Sequence, residues 1–198
     1  MRLLRTRAWS AIAVWLALSG CSSAPDATES TESDIGVVPE WFADELQLQE
    51  SVDLSCAGIP TDGPPAEFEI VADAVALPAS PNHAALQTSG RESADGDRYF
   101  FAKTGLVWNT AASFELVVPE EFRPTMAIGW GGPAPHAHRV VVQCAGPDEW
   151  VAMPGGYWVT EPICADVIVG TADVQVTVQI GLGTPCPLQA PPQGPSDD

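Results

Sequence analysis

The sequence predicts an all-β fold, specifically an antiparallel β-sandwich that is loosely immunoglobulin-like. Two observations lead there. Short segments in which apolar and polar residues alternate recur about every 8 to 15 residues, with Gly, Pro, Asn or Asp between them. No long amphipathic helix pattern follows the first 20 residues. Many half-buried antiparallel strands can bury their apolar faces when two sheets pack face to face. The Cys…Trp…Cys pattern of antibody domains is not evident, so membership of that family does not follow.

The last two predicted strands have the clearest pattern. Residues 163–169 and 174–182 flank Gly170-Thr171-Ala172-Asp173, and the second run is apolar at every even position. One face of that strand should therefore lie on a core and the other in water. A second hairpin is predicted at Pro154-Gly155-Gly156. The run 99–107 has aromatic residues on both faces, which suits a strand at the centre of a sheet. The other expected elements are a helix at 39–45, a polar loop at 78–97, and strands at 46–56, 68–72, 114–118, 126–130 and 140–144.

The first 21 residues have the order of an export signal. Arg2, Arg5 and Arg7 precede an apolar run at 8–18, which is shorter than the roughly 20 residues that span a bilayer as a helix. Leu18-Ser19-Gly20-Cys21 then resembles the lipobox of bacterial lipoproteins. The resemblance implies cleavage before Cys21, a diacylglyceryl lipid with palmitate-type chains on the Cys21 thiol, and anchoring to the extracytoplasmic face of the cell membrane. The alternative is an ordinary cleaved signal followed by a chance cysteine.

This assignment divides the chain into four parts. Residues 1–20 are the signal peptide, and 21–38 form an acidic flexible tether rich in Ser, Thr, Asp and Glu. The β-sandwich domain covers 39–186, and a Pro-rich disordered tail covers 187–198.

The cysteine count fits export. Removing Cys21 leaves Cys56, Cys144, Cys164 and Cys186, an even number in an oxidising compartment, so two disulfides are expected. Three pairings could form. We favour Cys164–Cys186, which would close the base of the last hairpin, together with Cys56–Cys144. A zinc site is the rival interpretation, but the chain has no C-x-x-C pair.

The charge of the chain bears on its partners. After cleavage, 26 acidic and five basic residues remain, a formal charge of −21. Such a surface repels nucleic acid and anionic lipid headgroups, so binding to DNA or RNA is not expected. Solubility outside the cell is the plain explanation of the charge, and capture of cations or of a basic partner is the alternative.

Two polar constellations could bind metal. His136 and His138 are two residues apart, so on a strand both imidazoles could meet one copper or zinc ion, with His83, Met126, Met153 or an acid as a third ligand. The alternative is two half-exposed histidines where a strand begins. Glu92, Asp95 and Asp97 could bind calcium, but they lack the spacing of a calcium loop, and an acidic turn between strands is favoured.

Large aromatic residues beside glycines form a third candidate site. Trp130, Tyr157 and Trp158 could stack on a glycan or insert into a partner protein. They could equally fill the core of a small sandwich, which is the favoured interpretation because their segments also alternate like strands.

The function expected from these features is a non-catalytic binding or interaction module displayed on the envelope. The chain has no nucleophile elbow, S-x-x-K, H-E-x-x-H or Walker motif. We therefore expect no catalytic residues and no cofactor other than the lipid on Cys21. The expected partners are the lipid membrane, through Cys21, and an envelope protein or glycan. The alternatives are a copper- or zinc-handling protein using His136 and His138, and an envelope hydrolase.

Overall fold

The computed structural model describes residues 36–132 and 135–194. They belong to one compact unit, Asp34–Asp198. The predicted signal peptide, Cys21 and the predicted tether up to residue 35 lie outside the described residues, as do the last four residues of the predicted tail. Within the described part of the chain, no helix is long and apolar enough to cross a membrane.

The predicted β-sandwich is confirmed, with two packed sheets and two disulfides. One short helix precedes the strands, and a 3₁₀ turn at Glu120–Phe122 lies between two of them. The elements in chain order are α1 (Glu40–Leu46), β1 (Val52–Leu54), β2 (Ile59–Thr61), β3 (Glu69–Val71), β4 (Val75–Leu77), β5 (Thr88–Glu92), β6 (Arg98–Asn109), β7 (Phe114–Val117), β8 (Met126–Trp130), β9 (Arg139–Val142), β10 (Trp150–Val159), β11 (Ile163–Gly170) and β12 (Gln175–Leu182).

Two long strands, β6 and β10, form the centre of the larger sheet. They pair antiparallel from Trp150 opposite Asn109 to Val159 opposite Phe100. On the other edge of β10, β2 pairs with the first half of β10 and β8 pairs with its second half. Beyond β6 lie β4 and β5, and β3 pairs with β4. The central position expected for the run 99–107 is therefore confirmed.

The smaller sheet has the order β1-β9-β7-β11-β12. Neighbouring strands in this sheet are antiparallel, except that β1 and β9 run parallel, with Val52 opposite Val140. The parallel pairing lies at a corner between the two sheets, where the segments that lead into β1 and β9 run side by side. Just before these strands, Ala137 bridges both Gln49 and Ile128 of the larger sheet.

The core lies between the inner faces of the two sheets. Its largest fully buried side chains include Trp108, Trp130 and Tyr157. The rings of Trp130 and Tyr157 meet edge to face, with centroids 5.4 Å apart. The indole Nε1 of Trp130 donates to the carbonyl oxygen of Thr104 at 3.2 Å. The Tyr157 hydroxyl is buried and has no hydrogen-bond partner among the described residues.

A second, smaller cluster forms on the outer face of the larger sheet, where α1 packs. Phe42 and Leu46, four residues apart on the helix, lie against Tyr99 and Ala127. Glu45 fixes this contact through both carboxylate oxygens. One accepts from the Tyr99 hydroxyl at 3.2 Å and the other from the backbone N–H of Ala94 at 3.3 Å. The helix therefore covers part of the sheet and leaves the remainder open.

The start of α1 matches the sequence prediction, but the long strand predicted at 46–56 is wrong. The helix follows Pro39 and has Glu40 in its first turn, as its N-terminal sequence suggests. Leu46 belongs to the helix, and only Val52–Leu54 forms a strand. The alternation was misleading because Leu46 also stands four residues from Phe42, the spacing of one helix face.

The hairpin predicted at Pro154-Gly155-Gly156 is also wrong, because β10 runs through these residues without turning. The two glycines instead allow β10 to lie close to its neighbours β8 and β6. A Cβ at Gly155 would overlap the carbonyl oxygen of Gly129 on β8, and a Cβ at Gly156 would overlap that of Ala102 on β6. Gly-Gly therefore lets β10 pass between two neighbouring strands.

The predicted loop at 78–97 contains β5, a polar edge strand that pairs with β6. Its residues are half-buried at Thr88 and exposed from Ser89 to Glu92, so it lacks the apolar alternation that marks a strand in sequence. Asp95 and Asp97 lie in the turn that joins β5 to β6, as the acidic-turn interpretation expected.

The domain continues past the predicted boundary at residue 186. Gln189, assigned to the tail by the sequence prediction, is buried. Its side chain accepts from the backbone N–H of Cys186 and donates to the carbonyl oxygen of His83. These bonds hold the start of the predicted tail against the segment before β5.

Both favoured disulfides are present. Cys56–Cys144 links the residues that follow β1 and β9 and closes 88 residues of chain, and Cys164–Cys186 links β11 to the segment after β12. By loop-closure entropy, a bridge across 88 residues contributes about 4.6 kcal/mol, and one across 22 residues contributes about 3.4 kcal/mol. The bridges thus hold both ends of the domain to the small sheet.

Removing the hydroxyl of Tyr157 should stabilise the domain. A buried polar group without a partner costs about 1–3 kcal/mol, and phenylalanine keeps the ring packed on Trp130. We expect Tyr157→Phe to raise the free energy of unfolding by about 1 kcal/mol in urea denaturation. The matched control is Tyr99→Phe, the other tyrosine, which loses its bond to Glu45 and should lower that free energy. A Tyr157→Phe variant less stable than the parent would contradict the assignment of a costly buried hydroxyl.

Candidate functional site

A groove of about 530 Å³ lies on the outer face of the larger sheet, beside the C-terminal end of α1. Ligand pockets commonly have about 300–1,000 Å³. One wall is formed by the end of the helix and the segment that follows it. The floor is the sheet, and the far wall is the segment that leads into β9. The lining residues are Glu45, Leu46, Gln47, Gln49, Phe101, Gly129, Trp130, Gly131, Gly132, Pro135, His136, Pro154, Gly155 and Trp158.

Three half-buried rings form a continuous aromatic row in this groove. Phe101 on β6 and Trp158 on β10 are directly opposite each other, with ring centroids 4.6 Å apart and planes 30° apart. His136 also meets Trp158 edge to face, with ring centroids 4.0 Å apart. The pairing of β6 with β10 creates the row, because directly opposed residues on adjacent strands point to the same face.

A polar rim borders the row along the helix end. Glu45, Gln47 and Gln49 are all exposed and line the groove. Gln47 ends α1 with φ 49°, a left-handed conformation that closes the helix by backbone bonds to Ala43 and Asp44. Because the chain turns at Gln47, it runs along the edge of the groove and presents two amide side chains.

His136 is held in one tautomer by the end of the helix. Its Nδ1 lies 2.7 Å from the carbonyl oxygen of Leu46, and a carbonyl can only accept, so Nδ1 carries the proton. Burial lowers the pKa of His136 from its ordinary value, and the bond to Leu46 only partly opposes this. The ring is therefore neutral near pH 7, with Nε2 as a hydrogen-bond acceptor.

His138 lies in a different environment from His136. It is buried, and its Nδ1 is 3.9 Å from an Oε2 of Glu50, while Arg123 binds the other oxygen of that carboxylate at 3.1 Å. Burial, and next the charge of Arg123, lower the pKa of His138, with Glu50 opposing them. Its Nε2 is buried without a hydrogen-bond partner in the described part of the chain.

The predicted metal site has little support from this arrangement. Of the two Nε2 atoms, that of His138 is buried, and the two rings have different neighbours. Among the described residues, no three His, Cys, Asp or Glu side chains group as a metal site. Of the suggested third ligands, Met126 is buried in the core, and His83 contacts the carbonyl oxygen of Ala84 at 2.5 Å.

The three predicted contact aromatics divide into two kinds. Trp130 is 1% exposed and Tyr157 is 0% exposed, so both pack in the core, as the favoured interpretation held. Trp158 is half-buried and lines the groove. Within the predicted contact set, Trp158 is therefore the ring that a ligand could touch in this conformation.

Sequence reasoning missed Phe101 and the polar rim. The sequence pattern predicts for Phe101 only a strand with aromatics on both faces, although the charged Lys103, two residues later, indicates that this face points outward. The pattern also predicts a strand at Gln47 and Gln49, whereas both residues follow a helix. The alternation of β6 was a signal for Phe101, but nothing in the sequence shows that Trp158 stands opposite it.

Comparison of the chain with family models, with curated proteins and with solved structures finds no match.

The half-buried His136 and the buried His138 should make stability depend on pH. The folded-state pKa of each is lowered, so below the ordinary value near 6.5 the unfolded chain binds more protons than the folded one. Their contribution to the free energy of unfolding is therefore complete above about pH 6.5 and falls as the pH decreases through that value. Urea denaturation at about pH 7.5 and about pH 5.5 measures the difference. We expect the double variant His136→Gln, His138→Gln to show a smaller decrease than the parent, and an unchanged decrease would refute this origin.

Proposed function

We propose that this protein is a lipid-anchored, extracytoplasmic, non-catalytic binding module whose ligand occupies the groove beside α1. The observation that carries the proposal is the aromatic row of Phe101, Trp158 and His136 in an open groove with a polar rim. Ligand sites typically combine apolar and aromatic surface with a few polar groups that fix orientation. This groove has both.

The groove offers separate groups for the apolar and polar parts of a ligand. Phe101 and Trp158 supply aromatic surface, which contributes much of the binding energy in many interfaces. The amides of Gln47 and Gln49 can both donate and accept, and Nε2 of His136 can accept. A ligand with an apolar side and a border of hydroxyl or amide groups would satisfy all of these.

Glu45 supports the wall of the groove. Both of its oxygens accept hydrogen bonds, from the Tyr99 hydroxyl and the Ala94 N–H, so the carboxylate fixes the end of α1 against the sheet. The chain has no motif of a hydrolase, and the envelope hydrolase is third among our proposals.

Copper or zinc handling through His136 and His138 remains a second proposal. The neutral ring of His136 leaves Nε2 with the lone pair that a metal ion requires. We place this role second because Nε2 of His138 is buried, so the two rings do not offer two open nitrogens in this conformation.

The lipid at Cys21 has a physical role in this proposal. A mature chain of charge −21 is repelled by anionic membranes, so electrostatics cannot hold it at a membrane. Each buried CH₂ of an acyl chain contributes about 0.8 kcal/mol, and two chains anchor stably where one does not. A diacylglyceryl group would supply the attachment that the protein surface opposes.

Truncation of the aromatic row should abolish ligand binding. The full-length chain in a neutral detergent is applied to an array of defined glycans and peptides, and the probe it retains is titrated against variants. Removing a central aromatic contact costs about 2 kcal/mol or more, so Trp158→Ala and Phe101→Ala should each weaken binding about thirtyfold or more. The control is Ile70→Ala, an exposed apolar residue on β3, which should leave binding unchanged. Equal binding by all variants, or no retained probe, would count against the groove.

Replacing Cys21 should release the protein from the membrane. In the bacterium that makes the protein, the parent should sediment with membranes, and Cys21→Ser should appear in the soluble fraction because the serine takes no thioether-linked lipid. Mass spectrometry of the parent N-terminus should show a diacylated cysteine. A parent found in the soluble fraction, with an unmodified cysteine, would contradict the anchor.

A further inference from the structure

The basic residues of the domain are distributed unevenly. Of the five that follow Cys21, Arg123 pairs with Glu50 and Arg139 with Glu115. The other three, Arg91, Arg98 and Lys103, all lie on the β5–β6 hairpin, and they form no ion pair within the described residues. In a chain with 26 acids, three cations without a carboxylate partner on one hairpin form a local exception to the negative surface.

Two of these three cations stand on the face that carries the aromatic row. Arg91 lies over the ring of Phe101, with its guanidinium carbon 6.0 Å from the ring centroid. Lys103 follows Phe101 by two residues on β6, so both point to the same face. Arg98 instead lies over Phe100, on the opposite face of the hairpin. Arg91 and Lys103, both exposed, therefore flank the aromatic row.

The groove also continues past the aromatic row. Pro154 lines both the groove and a second depression of about 470 Å³ over β2, β6 and β10. This depression is bordered by Ile59, Ala152 and Met153, with Lys103 at its edge. Ile59 is 65% exposed, so the sheet face is uncovered here. The two depressions together suit an extended ligand of more than one unit.

We propose, on the basis of the binding function above, that the ligand is a glycan chain that bears carboxylates. Sugar rings have apolar C–H patches for the aromatic row and hydroxyl groups for the side chains of Gln47 and Gln49. The carboxylates pair with Arg91 and Lys103, which form no ion pair within residues 36–132 and 135–194. The net charge of the domain repels anions at long range, so this pairing selects anionic ligands only at contact.

The test measures binding of oligogalacturonates of two to eight units, and of their fully methyl-esterified forms, by calorimetry. Esterification removes the charge and keeps the sugar skeleton. The full-length chain in a neutral detergent is used. We expect the acidic form to bind roughly fivefold to tenfold more tightly than the ester, as two exposed ion pairs allow. Affinity should rise with chain length until both depressions are filled, and the preference should shrink in high salt.

Variants separate this inference from the proposed function. Arg91→Gln with Lys103→Gln should remove the preference for the acid, so that the ratio of the affinities for acid and ester falls to about one. Arg98→Gln, the same change on the opposite face of the same hairpin, should keep the preference. Equal binding of acid and ester by the parent, or a preference that survives the double variant, would overturn the anionic ligand. If Trp158→Ala still weakened binding of the ester, the groove would be supported as the binding site although the preference for an anionic ligand had failed.

Two further results distinguish failure of the glycan proposal from failure of the groove itself. If the parent binds neither oligosaccharide but retains a peptide from the array, and Trp158→Ala loses that peptide, the glycan is overturned and the groove is supported. If Trp158→Ala changes no binding at all, the groove is overturned together with its ligand.

Discussion

The long antiparallel pairing of β6 with β10 is the interaction on which the rest of the molecule depends. Its inner face supplies Trp108 and Tyr157 to the core, and its outer face sets Phe101 opposite Trp158. Stability and the candidate site thus arise from the two sides of the same ladder. The pairing can continue without interruption because Gly155 and Gly156 have no Cβ to meet the carbonyl oxygens of the neighbouring strands.

Partial coverage of this sheet creates the groove. The helix α1 is too short to cover the outer face, and Glu45 holds it at one end through Tyr99 and Ala94. Where the helix ends at Gln47, the aromatic row is left accessible at its margin. The contact that closes the small outer cluster therefore also defines the wall of the groove, so Tyr99 and Glu45 contribute to both stability and shape.

The charge distribution gives this surface a distinct character. The chain has 26 acidic and eight basic residues, and most of the acids in the described part of the chain are exposed, which favours solubility. Of the five basic residues that follow Cys21, two neutralise Glu50 and Glu115, and the hairpin beside the groove has the rest. A ligand that meets Arg91 and Lys103 would find local attraction within a repulsive field, an arrangement that favours specificity over rapid capture.

The sequence by itself determined the fold class and the expectation of two disulfides, because period-two alternation and an even cysteine count are local or countable properties. Three pairings were open, and the tertiary structure decided between them by bringing Cys56 to Cys144 and Cys164 to Cys186. It also indicated that Trp130 and Tyr157 belong to the core. It could not distinguish a glycine pair that turns a chain from one that lets strands approach, so the hairpin at 154–156 was wrong. It missed β5, whose polar edge has no alternation. Above all, Phe101 and Trp158 are 57 positions apart, and only strand register, which follows from long-range packing, makes them neighbours.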